Sequence, residues 1–199
     1  FWIFILGCLI GYVMEVSLNI FLTKNFETRQ GLIYGPLAPV YGLGTLAFYL
    51  ILPRIKGIFN IFLTSGIVGG MVEYLCSYFQ ERWFGTISWD YSNLFLNING
   101  RTSIMYCILW GVLGIIFIKL LYPYIEKIFD KFITRTSTKI VTTFAIAFMV
   151  FNISISSMAA KRQYERRENI KPQNNIDQFL DIYYPDEYMN KVFANKIEK

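Results

Sequence analysis

Apolar residues occur in long runs along most of the chain, and short clusters of charged and polar residues separate these runs. Within a run, the apolar residues do not alternate at the period of a strand or of an amphipathic helix. Because a helix needs about 20 residues to cross the hydrocarbon core of a bilayer, the run lengths predict spanning helices. The pattern predicts about five of them, at about residues 1–23, 36–52, 58–79, 102–122 and 139–159.

Two further segments differ from these runs. The stretch from Ile125 to Arg135 interleaves apolar residues at helical spacing with charged residues, which is typical of a helix that lies along the membrane surface. After Ala160 the composition becomes basic and polar, and apolar residues are grouped again within residues 176–193, where we expect two short amphipathic turns that dock on the membrane domain. The predicted fold is therefore all-α, with a transmembrane bundle over residues 1–160, an interfacial helix, and a polar, partly helical C-terminal tail over residues 161–199.

The composition supports a membrane protein, since 54% of the residues are hydrophobic, 18% are aromatic and only 17% are charged. A soluble chain with these values would precipitate, so the lipid bilayer is the expected environment. The net charge of +5 does not set the orientation, because Lys and Arg are nearly balanced between the two sets of loops. The chain starts at Phe1, and we expect that this residue lies inside a longer gene product. A further helix before Phe1 is therefore an open alternative.

The chain has no histidine, and its three cysteines, Cys8, Cys76 and Cys107, each lie alone within an apolar run. None has a partner at the spacing of metal ligands or of a redox motif. We therefore expect no metal site, no cofactor and no disulfide framework. The residues also point to no nucleic-acid partner, and they do not define an oligomeric state.

Glu15 and Glu73 lie in the middle of apolar runs, where an ionised carboxylate costs a few kcal/mol. Such residues usually face the interior of a bundle or a water-filled cavity. Glycines precede each glutamate on the same predicted helix face, which lets a neighbouring helix approach closely and favours an inward-facing carboxyl group. The alternative is that both glutamates are protonated, hydrogen-bonded packing residues.

Two polar connections flank these helices. The first runs from Arg29 to Gly44 and is rich in Gly and Pro, so it predicts either a re-entrant loop beside Arg29 or a simple surface turn before a Pro-started helix. The second contains Trp89 and Tyr91 and three polar residues of interest, Asp90, Asn97 and Arg101. In the simplest order of membrane crossings, both connections lie on one side. The candidate substrate-binding residues are then Glu15, Arg29, Glu73, Asp90, Asn97 and Arg101.

These residues belong to a pattern that resembles a bacterial family of integral membrane proteins, the putative ABC-transporter permeases of the CmpB-like, type IV group. The resemblance covers most of residues 1–125, and its most specific part is the Trp, Asp, Tyr, Ser block followed by Asn, Gly, Arg. One departure is Gln30, where family members commonly have Asn. The matching residues are Gly11, Glu15, Arg29, Gly31, Gly35, Pro36, Pro39, Tyr41, Gly42, Gly44, Glu73, Tyr74, Trp89, Asp90, Tyr91, Ser92, Asn97, Asn99, Gly100, Arg101 and Gly111.

The resemblance implies a small multi-pass protein of the plasma membrane with a transport-related function. The chain has no Gly-rich phosphate-binding loop, so any ATP hydrolysis must come from a separate ATPase subunit. A docking surface for such a subunit is available in the charged stretch 126–135 or in the tail, although a solvated surface helix needs no partner.

Three functions fit these residues. The first is a permease or small-solute-binding transporter subunit whose polar cavity is lined by the membrane carboxylates and the loop arginines. The second is an intramembrane enzyme with Glu73 or Asp90 as general base, which lacks a visible nucleophile or metal constellation. The third is a scaffold or regulator in which buried charges pair with one another. We adopt the first and expect no enzymatic activity.

Overall fold

The computed structural model describes residues 1–132 and 136–199 and is almost entirely helical, which confirms the all-α prediction. Four strands of two residues each form two small antiparallel pairs, in which β1 pairs with β4 and β2 with β3. The helices are α1 (Trp2–Thr23), α2 (Pro39–Ile51), α3 (Ile58–Phe84), α4 (Ile104–Ile116), α5 (Tyr122–Phe132), α6 (Thr136–Arg167), α7 (Asn175–Tyr183) and α8 (Asp186–Val192). The strands are β1 (Thr86–Ile87), β2 (Asn97–Ile98), β3 (Thr102–Ser103) and β4 (Ile197–Glu198).

Within the described residues, four helices are long and apolar enough to cross a membrane: Trp2–Thr23, Ile58–Phe84, Ile104–Phe129 and Thr138–Arg167. The second predicted span is different, because α2 has 13 residues and is only about 20 Å long. That length is short of the roughly 30 Å hydrocarbon core. Pro39 starts α2 and Pro53 lies in the 3₁₀ turn after it, so the chain cannot extend this helix in either direction.

The predicted interfacial helix is a continuation of the fourth span. A π-helical turn at Phe117–Leu121 connects α4 to α5 without a break. Two residues of its apolar stripe, Ile125 and Phe129, pack against the protein core, so part of this stripe is covered by protein. The position of α5 at the membrane surface stays a prediction, and residues 133–135 of the predicted stretch lie outside the described residues.

Small residues let the helices approach closely, as the glycine pattern predicts. Trp110 of α4 lies against Gly44 of α2 and Gly69 of α3, and a Cβ atom at Gly69 would come within 2.2 Å of the indole. On α3, a Cβ atom at Gly66 would come within 2.8 Å of the Cys107 carbonyl oxygen. Trp110 is 6% exposed and belongs to the main core cluster with Ile3, Phe48, Leu52, Phe117 and Ile125.

The C-terminal residues pack on the membrane helices. Leu180, Tyr184 and Met189 of the tail form one buried cluster with Ile33, Ile155 and Ala159. Helix α6 continues past residue 160 to Arg167, and Arg162 and Arg166 form ion pairs with Asp181. Strand β4 pairs with β1 at the end of α3. The division of the chain at residue 160 stays a prediction.

Candidate functional site

The connection between α1 and α2 lies inside the helix bundle. The Ala38 amide donates a hydrogen bond of 3.1 Å to the Cys8 carbonyl within α1. On the other side, the backbone of Tyr34 is paired with the side-chain amide of Asn152 in α6, at 3.1 Å and 2.7 Å, and the Ile33 amide donates to Ser156 Oγ at 2.9 Å. Non-helical backbone at membrane depth requires such partners. These contacts support the prediction of a re-entrant loop over that of a simple surface turn.

The short helix α2 begins beside the first membrane carboxyl group. Tyr41, in the first turn of α2, donates a hydrogen bond of 2.6 Å to Glu15 Oε1. Gly11, one turn before Glu15, makes room for the ring of Tyr41, because a Cβ atom there would come within 2.2 Å of it. Glu15 is half-buried. The re-entrant loop and the short helix therefore bring a phenol group to a carboxyl group inside the bundle.

The second membrane carboxyl group is almost fully buried. Glu73 is 5% exposed and accepts two hydrogen bonds, from Tyr91 Oη at 3.0 Å and from Thr102 Oγ1 at 2.8 Å. Tyr91 stacks on Tyr106 of α4 with ring centroids 4.0 Å apart. Burial, followed by the charge of Glu73, raises the pKa of Tyr91 well above its ordinary value. The phenol therefore stays protonated and donates to the carboxyl group.

A series of aromatic side chains leads from one carboxyl group to the other. The ring of Tyr41 lies 5.6 Å from that of Trp110, and Trp110 is one helical turn from Tyr106, on the same face of α4. We call this set of side chains the carboxyl centre; it consists of Glu15, Tyr41, Glu73, Tyr91, Thr102 and Tyr106.

The two arginines of the predicted site make their contacts outside the carboxyl centre. Arg29 donates from Nη2 to Asn19 Oδ1 at 2.8 Å and to Glu27 Oε2 at 2.7 Å. Arg101 pairs with Glu81 and lies over the ring of Tyr74. Among the ion pairs of the described residues, none includes Glu15 or Glu73. The carboxyl centre is therefore acidic and phenolic, where the sequence predicts a site of mixed charge.

Asp90 and Asn97 hold the fold of their own loop. The carboxyl group of Asp90 accepts from the Ser92 amide and from Lys199 Nζ, at 2.9 Å and 2.8 Å. Lys199 and then Ser92 keep the pKa of Asp90 well below its ordinary value. Asn97 donates to the Leu94 carbonyl at 2.9 Å and accepts from the Gly100 amide at 3.0 Å. The loop backbone and Lys199 together satisfy these two side chains.

A basic cavity lies at the end of α3, next to this loop. It measures about 300 Å³ and is lined by Arg101, Arg82 and Lys199 together with Glu81. Neither this cavity nor the second described one, at Arg54 and Lys56, contains a carboxyl group of the carboxyl centre. The role of the six predicted residues in solute binding stays a prediction.

The sequence did not point to four members of the centre as partners of the glutamates: Tyr41, Tyr91, Thr102 and Tyr106. A general signal was present, because a buried carboxyl group requires hydrogen-bond donors. Hydroxyl groups are the donors that add no second charge. The sequence contains 14 tyrosines, so this signal does not choose among them.

The fold and the site together define a multi-pass helical membrane protein with a short helix beside one half-buried and one buried carboxyl group. The chain matches the sequence profile of the family ABC_trans_CmpB, described as "Putative ABC-transporter type IV", over residues 2–157. It belongs to this family. No curated protein and no solved structure matches the chain significantly.

Proposed function

We propose that the protein is a permease-type transporter subunit of the plasma membrane that binds a small solute at the carboxyl centre. The observation that carries this proposal is the position of Glu15, which receives a hydrogen bond from the first turn of a helix too short to span the membrane. Many transporters bind their solutes where interrupted helices end inside the bilayer. The family to which the chain belongs is named for transport, which is consistent with a non-enzymatic role.

The bonding of the carboxyl centre supports this proposal. An ionised carboxylate inside a membrane protein usually pairs with another charged group. Glu73 has no such partner among the described residues, since its hydrogen bonds come from two neutral hydroxyl groups. When it is ionised, a bound solute can therefore supply the opposite charge.

We assign the energy source to a separate ATPase subunit, because the chain lacks a phosphate-binding loop of its own. The exposed charged residues of α5, Glu126 and Lys127, are our proposed docking surface for that subunit. The tail is the weaker choice, since α7 and α8 are already packed on α6. Copurification of an ATPase from native membranes, and its loss in a Glu126→Lys, Lys127→Glu variant, tests this assignment.

Solute binding is tested by purifying the full chain from its native membranes and identifying the extracted small molecules by mass spectrometry. We expect a compound that accompanies the wild-type protein and is lost from Glu73→Gln. The matched control is Glu81→Gln, which removes a glutamate near the end of the same helix that pairs with Arg101. Identical extracts from all three proteins would contradict the proposal.

The alternative function is a membrane scaffold or regulator, and one observation favours it. Both oxygens of Glu73 are already hydrogen-bonded, and neither described cavity reaches them. In that case Glu73→Gln lowers stability and has no effect on any bound compound. Measuring thermal stability and extract composition on the same preparations separates the two functions.

A further inference from the structure

We infer that the solute bound at the carboxyl centre is a small organic cation, such as a protonated amine. This inference rests on the proposed function and adds the charge of the solute to it. It differs from the sequence-based prediction, which is a cavity lined by both acidic and basic side chains. The arginines expected to line that cavity make their ion pairs outside the centre.

The charges of the centre are the first argument. Glu15 and Glu73 come from different helices, and the direct partners of both are phenol and hydroxyl groups. The pairs that hold Arg29 and Arg101 use separate acids, Glu27 and Glu81. Two carboxyl groups in one apolar bundle repel an anion and attract a cation, and the low dielectric constant strengthens both effects.

The aromatic rings are the second argument. Tyr41 and Trp110 are in tilted contact at 5.6 Å, and Tyr91 and Tyr106 are stacked at 4.0 Å. The faces of such rings attract ammonium groups, and the attraction grows when the cation is desolvated. Phenol and indole rings next to carboxylates are therefore suited to an alkylated ammonium group.

An unsatisfied hydroxyl group is the third, independent argument. Ser77 is completely buried, and its Oγ has no hydrogen-bond partner in the described part of the chain. It lies one turn after Glu73, on the face of α3 where Gly70 contacts Thr102. A buried hydroxyl without a partner is uncommon, and this one can accept a hydrogen bond from an N–H group. The Ser77 hydroxyl group and the carboxyl groups therefore suit the same kind of ligand, one with several N–H donors.

The test uses the full chain in detergent, with methylammonium chloride as the probe at constant ionic strength. N-methylglucamine chloride, whose cation is bulky, serves as the reference salt, and N-methylglucamine acetate as the anion arm. We expect methylammonium to raise the apparent Tm of the wild type by about 2 °C or more, since a ligand that binds only the folded state stabilises it. Acetate should have no such effect.

Variants assign the effect to the centre. Glu73→Gln and Glu15→Gln should each abolish the rise in Tm, and Ser77→Ala should reduce it. The matched control is Ser65→Ala, which alters another fully buried serine of α3 whose Oγ donates to the Ile61 carbonyl. If Glu73→Gln does not fold, Glu15→Gln carries the test, because Glu15 is only half-buried.

The outcomes separate this inference from the proposed function. No shift with methylammonium, a shift with acetate, or an equal shift in Glu15→Gln would overturn the cation inference. A neutral or anionic compound extracted in a Glu73-dependent manner would also overturn it, while solute binding would stand. If neither the probe nor the extracts reveal a ligand that depends on Glu73, both proposals fail.

Discussion

The carboxyl centre and the loop of residues 88–101 are both rich in polar side chains, but they satisfy them in opposite ways. In the loop, Asp90 and Asn97 bond to the backbone of their own loop, and Lys199 supplies the opposite charge. In the centre, Glu73 receives its bonds from hydroxyl groups 18 and 29 residues further along the chain. No cation takes part in those two bonds.

This difference separates a carboxyl group whose charge is paired, that of Asp90, from a buried one whose partners are uncharged, that of Glu73, to which we assign solute binding in the proposed function. Exposed ion pairs such as that of Lys199 with Asp90 contribute little to the free energy of unfolding, but they neutralise the charge of the carboxylate locally. The hydroxyl groups around Glu73 satisfy its oxygens without neutralising it. Changes in the centre should therefore cost stability and ligand binding together, and changes in the loop should have local effects.

The largest expected effect comes from the packing next to the centre. Trp110→Ala should lower the free energy of unfolding by about 3–5 kcal/mol, because it leaves a cavity between Gly44 and Gly69. Titration of the detergent-solubilised protein with denaturant measures the loss. The matched control Trp83→Ala removes an indole that is 60% exposed, and we expect a clearly smaller loss. Equal losses would contradict the central position of Trp110.

A smaller effect is expected from one hydroxyl donor. Thr102→Val keeps the shape of the side chain but leaves Glu73 Oε2 without its donor, which should cost about 1–3 kcal/mol. The comparison variant is Asn99→Gly, which removes an exposed hydrogen bond to Tyr74 Oη and suits the positive φ of 52° at this position, so it should cost less than about 0.5 kcal/mol. The same denaturant titration applies. Equal losses of unfolding free energy in the two variants would show that burial does not distinguish the two regions.

In the loop, Asn97→Ala should cost about 1 kcal/mol, because the side chain spans the turn between Leu94 and Gly100. Hydrogen exchange of the backbone amides of residues 91–101 should become faster, and solute binding should be retained. Loss of the bound compound in this variant would remove the distinction between the loop and the centre.

The smallest effect concerns pH. Because Lys199 and Ser92 keep the pKa of Asp90 below its ordinary value, the folded state binds this proton less readily than the unfolded state. The contribution of Asp90 is complete above about pH 4 and is lost as the pH falls through the lower folded-state pKa. The protection of the amides of residues 90–92 against hydrogen exchange, taken relative to the intrinsic exchange rate at each pH, should therefore fall in acid. Asp90→Asn should abolish this pH dependence, and its persistence would assign the change to another group.

Much of the fold follows from the sequence, because the length of an apolar run and the bilayer thickness are local quantities. The runs around α1, α3, α4 and α6 form helices long and apolar enough to span a membrane. The run at residues 36–52 has a similar composition, but its first residues belong to the loop inside the bundle, and the Ala38 amide bonds to the Cys8 carbonyl. Where a chain turns back into a bundle depends on partners in other helices, and local composition does not report them.

The sequence by itself determined that the chain is a helical membrane protein and that Glu15 and Glu73 are unusual, since both conclusions need only the cost of burying a charge in hydrocarbon. The tertiary structure alone decided which side chains surround them. It brought Tyr41, Tyr91 and Thr102 to the carboxyl groups and placed Arg29 and Arg101 beside other acids. The physical reason is that hydrogen bonds and ion pairs depend on distances of about 3 Å, and only the packing of the helices sets such distances between residues far apart in the chain.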